Sequence, residues 1–302
     1  MFEVKNIRKE FQEDFWKEPF VALHDLSFSI EEGKITGFLG ANGAGKTTFL
    51  KILLDFITPT SGSISFINNM SKKEFFQNLG YMPERPYYYE YLTGREFLIY
   101  VGKLQNVEGN KLTAAIDKWT KELKVDFALD RSLKSYSKGM LQRVGFAGAL
   151  LHDPSLVVLD EPLSGLDPVG RKEFKDILVK INREYNCTVF FSSHIVSDVE
   201  EVSENVIVID KGNLVYQGNI NELLNQSSSN LVKLEVSHLP DSFIQDNKDI
   251  ILKTNTGINE CVFCTKDNQQ KLISKIYESS LDIISINRES LTLEEVVYNL
   301  NG

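Results

Sequence analysis

Residues 36–48 read Thr-Gly-Phe-Leu-Gly-Ala-Asn-Gly-Ala-Gly-Lys-Thr-Thr, and this stretch decides the fold. An apolar strand, Thr36 to Leu39, runs into a glycine-rich loop and then into a helical run from Phe49 to Phe56. Glycines let the backbone turn tightly and aim its N–H groups at a phosphate, and the new helix presents its positive end at the same point. The spacing Gly-x-x-x-x-Gly-Lys-Thr, in its strand–loop–helix setting, fits the phosphate-loop pattern. Gly40, Ala41, Asn42, Gly43, Ala44, Gly45, Lys46, Thr47 and Thr48 are therefore expected to cradle a nucleotide. Lys46 reaches the β and γ phosphates, and Thr47 is placed to bind Mg2+.

A second apolar run, Leu156 to Leu159, ends in Asp160-Glu161. Two adjacent acids at the carboxyl end of a buried strand incur desolvation and mutual repulsion that a structural role does not require. Asp160 is expected to hold the metal ion from the side opposite Thr47, and Glu161 to orient and activate the attacking water.

Outward from these two motifs, the chain alternates β-rich apolar runs with helical periodicity from Phe2 to about Asn225, the pattern of an α/β domain. Strands are expected at Thr36 to Leu39, Leu156 to Asp160, Thr188 to Ser192 and Val206 to Asp210, each nearly all apolar as strands covered on both faces are. From about Thr93 to Lys134, Leu112, Ile116, Trp119 and Leu123 recur at helical spacing, which predicts a helical insertion. The polar run Asn225 to Asn230 is expected to be a linker. Beyond it a strand (Leu231 to Val236), a helix (Asn268 to Ser279), a strand (Leu281 to Ile286) and a helix (Leu293 to Leu300) would form a small α+β appendage.

Composition narrows the function. The chain has 302 residues, 42% of them hydrophobic, enough for one large domain and a small companion. Its net charge of −9 opposes wrapping a polyanion, so no nucleic-acid partner is expected. No apolar stretch approaches the roughly 20 residues that cross a bilayer, and Met1-Phe2-Glu3-Val4-Lys5 has no signal-peptide pattern. A cytoplasmic setting is the expectation. Three cysteines make no disulfide framework, and Cys261-x-x-Cys264 lacks the second pair of a zinc site.

Three further segments carry a family resemblance. Ser137-Lys138-Gly139-Met140-Leu141-Gln142-Arg143 resembles the ABC signature segment, Ser164-Gly165-Leu166-Asp167 resembles the D-loop, and His194 after Ser192-Ser193 resembles the switch histidine. In this order, over most of residues 2 to 220, they resemble the ABC ATPase family. The resemblance implies a P-loop NTPase cassette of the ABC type in residues 1–225, a helical subdomain at about 93–150, and an accessory α+β domain in 226–302.

It also implies ATP and Mg2+ as cofactors. A head-to-tail pair of ATP-binding subunits, identical or merely related, would place Ser137, Gly139 and Asp167 of one chain on the nucleotide of the other. His194 would hydrogen-bond the γ-phosphate, and Glu84, where the Q-loop usually has Gln, would contact metal-bound water. Phe11 falls where an aromatic stacks on adenine, with Phe15, Trp16 and Phe20 as rivals. Separate transmembrane permease subunits would dock on the groove beside Tyr87-Tyr88-Tyr89-Glu90-Tyr91, leaving this chain peripheral on the cytoplasmic face of the membrane. The stretch Ser290 to Val296 resembles the tail of bacterial exporter subunits.

Lys138, Met140 and Glu84 depart from the family pattern, which leaves the hydrolysis rate open. Two other readings share the nucleotide chemistry. Against a soluble ABC ATPase acting on DNA or ribosomes stand the single cassette and the mere ninety or so residues between Lys46 and Ser137. Against a regulatory protein that barely hydrolyses ATP stand Glu161, Asp167 and His194.

Overall fold

The computed structural model describes residues 1–12, 16, 18–66, 70–227, 231–256, 260–288 and 293. By internal contacts the chain divides into Met1–Ile220 and Asn221–Leu300.

In the first unit, β1 (Phe2–Phe11) and β2 (Phe20–Ile30) form an antiparallel pair, followed by β3 (Ile35–Leu39), the helix α1 (Lys46–Leu53) and β4 (Ser61–Phe66). Strands β2, β1 and β4 make a small antiparallel sheet in that order. The α1 helix begins three residues before the expected start and stops short of Phe56. Asp55, at φ 61°, adopts the left-handed conformation that ends helices.

The chain continues through α2 (Lys72–Gln77), β5 (Leu79–Met82), α3 (Gly94–Leu104), α4 (Gly109–Glu122), α5 (Lys138–Leu150), β6 (Leu156–Leu159), α6 (Pro168–Tyr185), β7 (Thr188–Ser193), α7 (Val196–Val202), β8 (Asn205–Asp210) and β9 (Asn213–Asn219). Six strands form the principal sheet in the order β5-β6-β7-β3-β8-β9. All neighbours are parallel except β8 and β9. Every residue of β3, β6 and β7 is buried, which accounts for their near-continuous apolar sequence. Between 93 and 150 the described elements are helical, and Leu112, Ile116, Trp119 and Leu123 all face inward. Side-chain caps start two of these helices: Thr93 with Glu96 forms a capping box on α3, and Ser137 caps α5.

A cluster of phenylalanines welds the two sheets. Phe49 of α1 packs on Phe28 of β2 at 4.9 Å between ring centroids and on Phe38 of β3 at 5.4 Å. Phe190 of β7 meets Phe38 at 5.4 Å and Phe2 of β1 at 6.0 Å. The helix that follows the phosphate loop is thus gripped from both sheets, each aromatic pair adding about 0.5–1.5 kcal/mol beyond the area it buries.

In the second unit, α8 (Ile220–Ser227) crosses the division between units, so the expected linker is helical as far as Ser227. Residues 228–230 lie outside the described set. There follow β10 (Leu231–Val236), α9 (Asp241–Asp246), β11 (Lys253–Thr256), β12 (Glu260–Thr265), α10 (Gln269–Glu278) and β13 (Ile283–Arg288). The sheet order is β11-β12-β10-β13 with every neighbour antiparallel. This is the β-α-β-β-α-β split arrangement. Val232, Leu234 and Val236 of β10 form its core with Phe243, Leu272 and Ile276. Cys261 and Cys264, three apart on β12, point to opposite faces: Cys264 joins that core while Cys261 lies beside Lys233. They therefore form no disulfide or metal-binding pair. The helix expected from Leu293 to Leu300 and the exporter-like tail fall outside the described residues except at Leu293.

Replacing Phe49 by Ala should cost about 3–5 kcal/mol, the range for emptying a buried aromatic site, and Phe49→Leu markedly less. Denaturant unfolding of the full chain measures both; equal, sub-kcal losses would mean that the aromatic weld is not what holds α1.

Candidate nucleotide site

The parallel sheet gathers the site. Adjacent strands β5, β6, β7 and β3 all run the same way, so their carboxyl ends form one edge, where ligands bind in open α/β sheets. From that edge β3 leads into Gly40, β6 into Asp160 and Glu161, β7 into His194, and β5, two residues on, into Glu84.

The loop from Gly40 to Gly45 wraps the start of α1. Gly45 sits at φ 105° as the residue before the helix. A Cβ there would lie 2.7 Å from Leu23 Cδ2 and 2.9 Å from Ala22 O, so both conformation and space demand glycine. The first helical return bond is Phe49 N–H to Gly45 O, 2.9 Å, leaving the N–H groups of Lys46, Thr47 and Thr48 free of helical partners. Ala44 packs into the core, and Ala41, Asn42 and Gly43 are exposed.

Lys46 is 6% exposed. Its ammonium donates to Gly40 O at 2.6 Å and Ala41 O at 3.2 Å and lies 3.3 Å from Glu161 Oε1. The other oxygen of Glu161 is 2.9 Å from His194 Nδ1, so Lys46, Glu161 and His194 form one chain of contacts. Glu161 itself has φ 48°, a strained backbone for a non-glycine residue, and its N–H donates to Ser192 Oγ at 2.8 Å. Ser192 Oγ in turn donates to Asp160 Oδ1 at 2.6 Å. One buried hydroxyl thus holds both acids in place. Along the sequence Ser192 stands out only as a neighbour of His194; its role depends on β6 and β7 being adjacent, which no local motif reveals.

Burial pushes the Asp160 carboxyl above its usual range. The Ser192 hydrogen bond pulls it back, the Glu161 and Glu84 charges push it up again, and a hydrogen bond with Thr47 pulls it down. The phenol of Tyr81 is pushed up to about 12 by burial and by the Asp160 charge. A buried carboxylate crowded by two others, with a threonine hydroxyl at its side, suits a hard divalent cation. Among the described residues no three His, Cys, Asp or Glu side chains form an all-protein metal cage. Mg2+ needs none, because it takes one or two carboxylates together with phosphate oxygens.

These groups open on a cleft of about 400 Å³ lined by Asn42, Gly43, Thr47, Thr48, Glu84 and His194 among others. Its aromatic wall is Phe20, 63% exposed. Phe11, the sequence-based choice for the base-stacking ring, is not in that lining; it stands opposite Phe20 in the β1–β2 pair with the Lys9 ammonium 5.0 Å from its ring centroid. Trp16 is exposed, and Phe15 lies outside the described residues.

Ser137, Gly139 and Asp167 are elsewhere on the unit, in a second concavity of about 660 Å³. Both polar members already cap helices: Ser137 Oγ accepts from Met140 N at 3.3 Å, and Asp167 Oδ1 accepts from Gly170 N at 2.8 Å. Gln142 and Arg143 fix this face from behind. Gln142 Nε2 donates to Ser164 O at 3.2 Å, and Arg143 Nη1 donates to Leu123 O at 3.0 Å and pairs with Glu173. The tyrosine run divides. Tyr88 turns in against Phe97, its hydroxyl donating to Leu141 O at 2.6 Å, while Tyr87, Tyr89 and Tyr91 form an exposed cluster with Tyr100.

Strand, glycine loop and helix, with an acid pair on a neighbouring part of the same sheet edge, define a P-loop nucleoside-triphosphatase cassette. Residues 23–164 match the family model described as ABC transporter. An ABC transporter ATP-binding protein of Nostoc sp. is 39% identical over 74% of this chain and 68% of its own length. The bacitracin transport ATP-binding protein BcrA of Bacillus licheniformis is 32% identical over 93% of this chain and 92% of its own. A solved ATP-binding cassette, dimeric in a post-hydrolysis state with ADP and Pi, superposes with a TM-score of 0.65 at 22% identity, over 73% of this chain and 99% of that one. The chain belongs to the ABC transporter ATP-binding family. Membership implies ATP hydrolysis. Among the described residues no helix is long and apolar enough to cross a membrane.

Ser192→Ala should destabilise the unit by about 1–3 kcal/mol, the cost of leaving buried partners unsatisfied. It should also move the Asp160 carboxyl to a higher pKa, because the hydrogen bond it removes is one that lowers it. Carboxyl-selective NMR titration of wild type and variant checks the direction; an unmoved Asp160 would mean that the hydroxyl does not bind the acid in solution.

Proposed function

We propose that this chain is the ATP-hydrolysing subunit of an exporter, closing on ATP as a head-to-tail pair at the cytoplasmic face of the membrane beneath permease subunits on other chains. The observation that carries the reading is the split of the expected nucleotide contacts between two concavities on one unit. One holds the phosphate loop with Glu161 and His194, the other Ser137, Gly139 and Asp167. Each is half of a site, and a second subunit turned end to end brings unlike halves together. A helix start such as that of α5 offers free N–H groups and a positive dipole end to a γ-phosphate.

Lys46 binds the β and γ phosphates, leaving Glu161 to take up the water. Thr47 and Asp160, with Glu84 beside them, would hold Mg2+, which when bound neutralises phosphate charge and fixes the leaving group. Glu161 takes the proton of the attacking water as its oxygen bonds to the γ-phosphorus and the bridging bond to ADP breaks. His194, held at Nδ1 by Glu161, turns its other nitrogen to the γ-phosphate. Phe20 takes the adenine ring in place of Phe11, because it lines the cleft. The exposed tyrosines 87, 89 and 91 suit a protein interface and are assigned to the permease. The relative named for bacitracin transport supports transport as the coupled work, and export rests on the likeness of Ser290 to Val296 to exporter tails.

Glu161→Gln should keep ATP affinity while slowing hydrolysis by about 10²–10⁴-fold, the contribution of a general base, and light scattering with ATP and Mg2+ should show a dimer. Wild-type turnover in this variant would remove Glu161 from the role of base. Lys46→Ala should weaken nucleotide binding in equilibrium titrations; unchanged affinity would detach Lys46 from the phosphates.

A further inference from the structure

Asp198 lies four residues after His194, in the first turn of α7, with a side chain only 5% exposed. A buried carboxylate is costly unless it is paired, and both of its partners come from α6. Arg171 donates to Oδ2, and Lys175, one turn further along, is 3.7 Å from Oδ1 and also pairs with Glu201. Arg171 stands in the first turn of α6, where its N–H bonds Asp167 O at 2.9 Å, and its Nε is buried without a hydrogen-bond partner. Among the described residues its guanidinium pairs with the Asp198 carboxylate.

On its other side α7 is pressed against the strand that feeds the phosphate loop. A Cβ on Gly37 of β3 would fall 2.3 Å from Val199 Cγ1, so glycine there lets the helix sit directly on the strand. The helix start is thus fixed twice, by Val199 on β3 and by Asp198 on α6. The peptide entering it carries His194, and Ile195 N–H is tied to Ser193 Oγ at 3.0 Å. His194 contacts Glu161 in the first concavity, whereas Asp167 belongs to the second.

We propose that Arg171 and Asp198 are a positioning pair. By locking the first turn of α6 to the first turn of α7, they set where His194 meets Glu161. The inference rests on the reading of His194 and Glu161 given above. Neither residue touches nucleotide; both act through the histidine loop, and their loss is a loss of geometry, for which a misplacement near 1 Å is enough.

The test is a double-mutant cycle on the full chain, reading ATP turnover, ATP affinity and thermal unfolding together. Asp198→Asn keeps the shape and removes the charge; it should lower kcat about ten- to hundredfold while ATP affinity stays within about twofold. Combined with His194→Ala it should be no slower than His194→Ala alone. Arg171→Lys, which keeps a cation near Asp198, should recover part of the rate lost in Arg171→Met, and that comparison stands if Asp198→Asn folds poorly. Additive losses in the cycle, or equal rates for the two Arg171 variants, would overturn the pair while leaving His194 in its role. Wild-type turnover in His194→Ala alone would instead overturn the reading of the histidine, and the pair with it.

Discussion

Two neighbouring carboxylates at the buried end of one strand are the constraint around which the site is built. Asp160 is 3% exposed, and its charge is opposed by those of Glu161 beside it and Glu84. The surroundings answer with a serine hydroxyl that donates to Asp160 and accepts the backbone N–H of Glu161, a buried ammonium and an imidazole against the Glu161 carboxylate, and a left-handed backbone turn at Glu161. That turn is strained, and the strain separates the two functions: one acid stays in the sheet edge near Thr47, the other leans toward Lys46 and His194. An ionised pair with no cationic or hydrogen-bonding surroundings would repel and desolvate to several kcal/mol of instability. The arrangement suits a divalent cation, whose charge offsets the two acids.

Much of this was legible from residue order. Glycine spacing next to an apolar strand defines a phosphate loop by local geometry, so Gly40 to Thr48 could be read without tertiary information. Asp160-Glu161 was legible because a fold gains nothing structural from burying two adjacent acids at a strand end. What local patterns could not supply was adjacency between strands. Ser192 became meaningful only when β7 was found beside β6, and Phe20 lines the cleft where Phe11, its direct partner across the β1–β2 pair, does not. The end of α1 was misplaced for a smaller reason: a left-handed residue, Asp55, ends the helix where apolar periodicity runs on to Phe56.

The signature segment shows the same limit from another side. Ser137 and Asp167 are helix caps within this chain as well as candidates for contact with a partner, so their chemistry serves two ends. A cap is already hydrogen-bonded and held in one rotamer, and a group held in this way loses little entropy on meeting a phosphate. Lys138 and Met140, which depart from the family pattern, leave that cap intact because Ser137 accepts from the backbone of residue 140 and not from its side chain.

The position of β3 has a cost during synthesis. Its partners are Val189 to Ser193 on one side and Asn205 to Val208 on the other, some 150 residues downstream. At about 5–20 residues per second, this apolar strand waits roughly 8–30 s after translation before either neighbour exists. Throughout that time it offers unpaired edges to any other chain. A strand buried between two neighbours in the finished cassette is therefore a segment of the nascent protein in need of shelter.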